Sequence, residues 1–347
     1  MSEMKAAVLA GPKQIKIKSV PVPVVGPGEI KIRVSACGVC GSDIHMWKTG
    51  KGWNPDHVGD FIMGHEFCGT VTDSGTSDFR VGERVIFWAN LYCGECDMCR
   101  AGREHLCRRV NGTNYMGFVS NGAYAEEFVG PAKNAYRLPD TVTDTAAALI
   151  DPLMVAYHAL IESRLKLHDK VLVVGTGIIA QLFGGLAKKA GVSLLAMSKT
   201  NDRKLAKARE IGDFDLYLDG NDPDRRQKFA EVSEGGFDVV FEAVGADDAM
   251  AAALDAVKPG GTIVTVGNTI SPTIAFDINR LVLRETRLVG CVSCTRKEFE
   301  ETIDLIANGT IDPDRYVTDI LPLDDLQYAF ERLTSRIDPV LKIVVKP

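Results

Sequence analysis

The chain has no apolar run long enough for a bilayer. Stretches such as KVLVVGTG fall far short of the ~20 residues that a spanning helix needs. No apolar h-region follows the opening MSEMKAAVLAGPKQIKIK, so no secretion signal is expected and the expected location is cytoplasmic. Positive charge is not in excess either: 40 Lys and Arg stand against 46 Asp and Glu, a net charge of −6. A protein that grips nucleic acid neutralises phosphates with a basic surface, so neither a nucleic-acid nor a membrane partner is expected. Internal repeats, low-complexity tracts and long disordered linkers are also lacking. Cysteine is not scarce. Nine cysteines without a secretion signal read as metal ligands or free thiols rather than a disulfide framework.

What is present is an ordinary soluble composition, 46% hydrophobic and 25% charged, over 347 residues. At roughly 150 residues per domain, two domains are expected. The first third is punctuated like β structure: KAAVLA, QIKIKSV and EIKIRVSAC are separated by Gly11-Pro12 and Gly26-Pro27. In EIKIRVSAC, Ile30, Ile32, Val34 and Ala36 share one face, as in a half-buried strand. No helix-period pattern of comparable strength precedes about Asp144. From there TDTAAALIDPLMVAYHALIES reads as helical, with Asp151-Pro152 placed like an N-cap followed by proline at the first helical position. Strands KVLVVGTG, SLLAMS, DVVFEAVG, TIVTVG and RLVGCV then alternate with helical segments, which predicts a parallel sheet covered on both faces. Two helical stretches and a closing strand, VLKIVVKP, follow. The division expected is a β-rich domain over 1–154, to which 291–347 returns, and a doubly wound α/β domain over 155–290.

Three constellations carry chemistry. Cys93, Cys96, Cys99 and Cys107 in LYCGECDMCRAGREHLC are spaced to converge tetrahedrally on one zinc ion. With four protein ligands such a site is structural; loose surface cysteines or an iron–sulfur cluster are the alternatives. The second constellation is scattered: Cys40 in SACGVCGSDIH, His65 and Glu66 in MGHEFCG, and Asp151. A catalytic zinc takes about three ligands of mixed type and keeps one position open. Each residue also has a plain structural reading: a small buried thiol, a polar turn, an N-cap. The pair Cys37/Cys40 could equally be a dithiol switch or half of a zinc knuckle. The third is VLVVGTGIIA, where Gly175, Gly177 and Ala180 match G-x-G-x-x-G/A after a strand and at the opening of a helix. There the glycines admit a pyrophosphate to the helix N-terminus.

Together with GHEFCGTV, DPLMVAYHA, VKPGGTIVTVG and the closing KIVV, these motifs make the chain resemble, from Lys5 to Pro347, the zinc-dependent medium-chain alcohol and polyol dehydrogenases, the group of the sorbitol and threonine dehydrogenases. The resemblance implies a GroES-like catalytic domain with an inserted Rossmann domain. It also implies one catalytic and one structural zinc, a small alcohol or polyol substrate, and a homodimer or homotetramer. It makes Cys40 and His65 zinc ligands, leaving Cys37 to pack behind, and Glu66 a carboxylate beside the metal. Asp151 departs from the family, standing where polyol dehydrogenases carry Glu and alcohol dehydrogenases carry Cys; it ligates, reaches the metal through water, or yields to Glu66. Ser42 and His45 match the proton relay. The implied reaction moves a hydride between a secondary alcohol and a nicotinamide, with the metal as Lewis acid. A simple alcohol or aldehyde dehydrogenase is the rival within the class, and a non-catalytic zinc-stabilised NADP-binding protein the rival outside it.

The cofactor preference follows from LLAMSKTNDRKLAKA. An NAD enzyme carries an acid after the second strand for the ribose 2′-OH. That place falls at Lys199, and Ser198-Lys199-Thr200 holds no acid. Lys199 and Arg203 suit a 2′-phosphate, so NADP is expected with NAD as the alternative; Asp202 lies too far along. Cys68, Cys291 and Cys294 are expected to be core thiols. Trp47 and Trp53 are placed in the loop between the metal motifs, where they would line the substrate cleft or pack at the surface.

Overall fold

The structure is a computed structural model describing residues 2–52, 61–109, 115–199, 205–267, 273–275, 277–335 and 339–347. It divides into two compact units, Met1–Asp151 with Thr295–Pro347, and Pro152–Cys294.

The first unit opens with β1 (Glu3–Gly11), β2 (Gln14–Pro21), β3 (Glu29–Gly38), β4 (Phe61–Ile62), β5 (Glu66–Ser74), β6 (Arg84–Phe87), β7 (Glu127–Pro131) and β8 (Ala135–Arg137). The alternation read in EIKIRVSAC is realised in β3: Ile30, Ile32, Val34 and Ala36 are buried while Arg33 between them is exposed. Burying one face of a period-two segment fixes register, because a one-residue slip would turn all four side chains to water. β3 pairs antiparallel with β5 along its length and with β7 over its first half. Behind it, Phe67, Phe87 and Phe128 pack ring to ring at centroid distances of 4.6–5.4 Å.

The second unit is a six-stranded parallel sheet of β9 (Lys170–Val174), β10 (Leu194–Lys199), β11 (Leu216–Asp219), β12 (Phe237–Glu242), β13 (Val257–Thr265) and β14 (Arg287–Gly290). Its order is β11-β10-β9-β12-β13-β14, so the winding reverses between β9 and β12. Such a switch point, at the carboxyl ends of the strands, is where doubly wound sheets bind ligands. Val171–Val174 of β9 are fully buried, as in a sheet covered on both faces, and Phe183 of the helix Ile178–Lys189 stacks on Phe241 with centroids 4.0 Å apart.

The chain then returns to the first unit. A capping box starts the helix Arg296–Ala307: Thr295 N–H donates to Glu298 Oε2 at 2.7 Å and Glu298 N–H to Thr295 Oγ1 at 3.2 Å. β15 (Val317–Pro322) pairs parallel with β16 (Lys342–Lys346), and β16 lies antiparallel to the last residues of β3.

Three details differ from expectation. A helix, Gly41–Thr49, follows Cys40 directly, ahead of any helix-period pattern. Trp47 therefore sits on a helix and not in a loop. It is buried, its ring 5.8 Å from Phe330 and its Nε1–H donating to Gln327 Oε1 at 3.3 Å, so it packs the core instead of lining a cleft. The helix around DPLMVAYHA starts at Ile150, which puts Asp151 inside its first turn and not at its cap. Trp53, Asp202 and Arg203 lie outside the described residues. Among the described residues no helix is long and apolar enough to cross a membrane.

Candidate metal centres and cofactor loop

Strand register builds the first centre. Gly38, at the end of β3, pairs with Glu66 at the start of β5. Cys40, two residues beyond Gly38, and His65, one before Glu66, are thereby brought together at one end of two neighbouring strands. Ligand atoms of Cys40, His65 and Glu66 lie within 4.8 Å of one another. One thiolate, one imidazole and one carboxylate form the mixed donor set of a zinc site with room for another ligand.

A buried carboxylate that the sequence did not point to orients two of these groups. Asp43 is fully buried in the first turn of the helix Gly41–Thr49. Its Oδ2 accepts the Cys40 N–H at 3.0 Å and the Tyr124 hydroxyl at 2.8 Å, while its Oδ1 stands 3.5 Å from His65 Nδ1. Burial disfavours a charged His65, but Asp43 and then Cys40 outweigh it and hold its pKa well above the ordinary value. An acid behind the far nitrogen of a ligating histidine fixes its tautomer and aims the other nitrogen at the metal. Phe118 fixes the ring from the side, edge-on at 4.6 Å.

The other residues sort by geometry. Burial pushes the Cys37 thiol well above its usual range; Cys37 stands outside the converging trio and behaves as a neutral, packed thiol. Asp151 is buried nearby and its pKa is pushed up to about 7, first by burial, with Glu66 and Asp43 adding and His65 and Lys342 opposing. Its carboxylate is a neighbour of the trio and not a member of it. Ser42 Oγ is buried and meets no hydrogen-bond partner among the described residues, and His45, one helical turn on, is exposed. The ammonium of Lys342, in β16, is buried against Glu66 Oε2 and also donates to the Val39 carbonyl at 3.0 Å. Burial opposes its charge, but Glu66 and Cys40 raise its pKa.

The four-cysteine lobe forms the second centre. Its sulfurs approach at 3.8 Å (Cys93–Cys99), 3.6 Å (Cys96–Cys99) and 3.8 Å (Cys96–Cys107). A tetrahedron with metal–sulfur bonds of about 2.3 Å has edges of about 3.8 Å, so the cage fits zinc. Backbone N–H groups of Glu95 and Cys96 donate to Cys93 Sγ at 3.4 and 3.3 Å. Similar donors, from Cys99 and Arg108, pull the Cys96 thiol down to about 6, while burial pushes Cys99 up to about 12. The nearby arginines are engaged locally, Arg108 with Asp97 at 2.6 Å and Arg109 with Glu95 at 3.0 Å.

In the second unit β9 ends at Val174, and the next residue, Gly175, has a φ of +122° that suits glycine and donates its N–H to the Ser198 carbonyl at 3.1 Å. Gly177 opens the helix Ile178–Lys189, and a Cβ there would meet nothing within 4 Å, which leaves that backbone open to a phosphate. Ala180 is fully buried. Ser198 is fully buried too, with its Oγ unpartnered among the described residues. At the end of β10, Lys199 pairs in register with Asp219 of β11, and its Nζ lies 3.4 Å from that carboxylate.

Residues 26–140 match the alcohol dehydrogenase GroES-like domain, and residues 179–308 the zinc-binding dehydrogenase domain. L-threonine 3-dehydrogenase of Rhizobium rhizogenes is 32% identical over 343 residues, covering 96% of both chains. The chain belongs to the zinc-dependent medium-chain dehydrogenases. Sorbitol dehydrogenase of Bacillus subtilis is 28% identical, with 99% of this chain and 97% of that one covered. A zinc-binding dehydrogenase from Sinorhizobium meliloti, crystallised with NADP, superposes with a TM-score of 0.89 at 28% identity over the whole of both chains. The GroES-like and Rossmann-type fold and the dehydrogenase class follow from these matches.

Within this dehydrogenase, sequence reasoning missed Asp43, Tyr124, Lys342, Asp219 and Glu242. Glu242 is fully buried at the end of β12 and accepts the N–H groups of Val244 and Gly245, both at 2.7 Å, and the Thr265 hydroxyl at 2.6 Å. These bonds hold the turn beside Gly175, where a Cβ would lie 3.1 Å from Val244. Glu242→Ala leaves those donors in a dry site at about 1–3 kcal/mol each, so a loss of about 3 kcal/mol or more is expected in chemical denaturation. An unchanged midpoint would show that the turn holds itself.

Proposed function

We propose that the chain is a zinc-dependent dehydrogenase that prefers NADP and oxidises a secondary alcohol of a polyol, sugar or related small molecule. The convergence of Cys40, His65 and Glu66, with Ser42 two residues from the cysteine, carries the reading. Zinc held by this trio supplies a Lewis acid that stabilises negative charge on the substrate oxygen. Asp43 orients His65 and Cys40, and Ser42 Oγ, with no hydrogen-bond partner among the described residues, is placed to take the alcohol proton and pass it toward the exposed His45. The glycine loop at Gly175 and Gly177 binds the cofactor pyrophosphate, with Ala180 allowing the helix to approach the sheet.

Lys199 supports the NADP preference, since position 199 holds a cation where an NAD enzyme holds an acid; Asp219 is the group that the 2′-phosphate must displace. The four-cysteine lobe holds a structural zinc, which makes two zincs per chain. One relative is named for the 3-position of threonine, a secondary alcohol, and another for sorbitol, a polyol, in keeping with this reading. We also propose a homo-oligomer: β14 is an edge strand of its sheet, and the apolar Leu288 on it and Val282 and Leu283 just before it are exposed.

The test is a panel of L-threonine, polyols, sugar acids and simple primary alcohols, each with NAD+ and NADP+, on protein of measured zinc content. Turnover of secondary alcohols at two zincs per chain is expected. Faster turnover of primary alcohols overturns the substrate class, equal or faster rates with NAD+ overturn the cofactor preference, and no turnover of any alcohol favours the non-catalytic rival. Lys199→Asp is expected to weaken NADP+ by about tenfold or more, one charged hydrogen bond being worth about 1.5–3 kcal/mol, and to spare NAD+.

A further inference from the structure

We propose that an arginine cluster in the second unit, built from Arg225, Arg226, Arg280 and Arg284, is a binding site for a phosphate dianion, free or carried on a small molecule. No residue of the metal centres or of the glycine loop belongs to it, so it goes beyond the dehydrogenase reading.

Three separate segments bring the cluster together. Asp255, in the last turn of the helix Asp247–Ala256, bridges two of the arginines: its Oδ2 accepts from Arg225 Nε at 2.8 Å, and its Oδ1 lies 2.9 Å from Arg280 Nη2. The same helix end offers the Leu254 carbonyl, which accepts from Arg280 Nη2 at 2.6 Å and from Arg284 Nη1 at 3.5 Å. Arg225 also donates to the Gly220 carbonyl at 2.9 Å. The side chains of Arg225 and Arg280 are only 21% and 24% exposed, so the guanidiniums are held in place and not left to swing in solvent.

The charges of this cluster do not balance. Asp255 is already shared by Arg225 and Arg280, and Asp222 is engaged by Lys228. Among the described residues neither Arg226 nor Arg284 has an ion pair. Burial first, and then the charges of Arg280 and Arg226, lower the pKa of Arg284, with Asp255 opposing. Arg225 and Arg226 also open the helix Arg225–Ser233, whose first turn holds no acid, although cations are disfavoured at that end of a helix. The carbonyl end of the helix Asp247–Ala256 explains why cations gather at Leu254. It leaves Arg226 and Arg284 unanswered and close enough to repel. Their combined charge matches a dianion, and the tetrahedral oxygens of a phosphate accept from guanidinium forks that approach from different elements. The patch is local and the whole chain carries a net charge of −6, which favours a small ligand over a nucleic acid.

The test follows phosphate and not turnover. Full-length protein is titrated by calorimetry with inorganic phosphate and with glycerol 3-phosphate, at constant ionic strength. Phosphate also suits the glycine loop, so the variants carry the reading. Arg284→Gln should weaken phosphate binding by about tenfold or more, the scale of one charged hydrogen bond, and Lys199→Asp should bind as wild type does. Arg284→Lys keeps the charge but loses the fork and should fall between. Tighter binding of glycerol 3-phosphate would make the ligand a phosphomonoester, and the reverse order the free ion. Equal binding by wild type and Arg284→Gln overturns the inference. So does a loss confined to Lys199→Asp, which would place all binding at the cofactor loop. Binding of DNA or polyglutamate without binding of either phosphate overturns it too. Should Arg284→Gln fail to fold, Arg226→Gln, on the exposed start of its helix, takes its place with the same expectation. The dehydrogenase reading is decided separately, by zinc content and turnover.

Discussion

Cys40→Ser is expected to lower kcat/KM by about a thousandfold or more and to remove one of two metals, with little change in thermal stability. Lewis-acid stabilisation of a developing alkoxide is worth several kcal/mol, and each 1.36 kcal/mol is tenfold in rate, so losing the ion costs about three decades. Stability should hold because Cys40 is only half-buried at the start of a helix, and the capping bond there uses its backbone N–H, which the substitution keeps. His65→Ala should lose the metal equally but also leave a cavity and strip Asp43 Oδ1 of its neighbour in the core, so its stability should fall as well. Cys37→Ala is the control. Its thiol is neutral and packed, so metal content and turnover should persist. Should Cys37→Ala and Cys40→Ser instead fail alike, with both metals retained, the dithiol reading of SACGVCGSDIH would return. Steady-state kinetics beside metal analysis separates these cases.

The features legible in the sequence are those whose cause is local. β3 could be read because Ile30, Ile32, Val34 and Ala36 repeat every two residues, and β9 because a run of buried aliphatics leads into a glycine turn. The helix Gly41–Thr49 could not. GSDIHMWKT has no sustained apolar stripe, and the segment is held instead by the Asp43 bond to the Cys40 N–H and by Gly50, left-handed at φ 68°. β11 and the helix Arg225–Ser233 escaped for a related reason: the first is a four-residue edge strand with no buried residue, and the second buries only Phe229 and Ser233. The same division runs through the site. Cys40, His65 and the four-cysteine lobe announce themselves by residue type and spacing. Tyr124 and Lys342 reach Asp43 and Glu66 across 81 and 276 residues, through pairings that no local pattern encodes. Asp219 escaped in the same way: the stretch after β10 does lack an acid, and the one beside Lys199 comes from the neighbouring strand.

Cys96→Ser, or chelation of the structural ion, is expected to open the lobe from Cys93 to Cys107 and leave the sheets folded. The lobe has little regular structure to hold it. Its regular structure is one turn of helix, Asp97–Arg100, and one 3-10 turn, Glu104–Leu106, both far below the length at which a helix persists in water. Around these turns, the Arg108–Asp97 and Arg109–Glu95 pairs are exposed and screened by water, so they contribute little. A zinc–tetrathiolate site contributes on the order of 10 kcal/mol to the folding of small domains, so the ion outweighs these contacts together. Where opening stops is set by the stem. Lys133 Nζ donates to the Tyr92 carbonyl at 2.7 Å, and Asn134 Nδ2 to the carbonyls of Trp88 and Asn90, both at 2.9 Å. These bonds anchor Trp88–Tyr92, the segment that leads into the lobe at Cys93. Protease nicking confined to 93–109, with the Cys40 metal retained, is therefore the expected signature, read by mass spectrometry of the fragments beside metal analysis. Equal resistance of Cys96→Ser and wild type would mean that packing and not the ion holds the lobe. Global unfolding would mean that the stem bonds are weaker than the coupling they transmit.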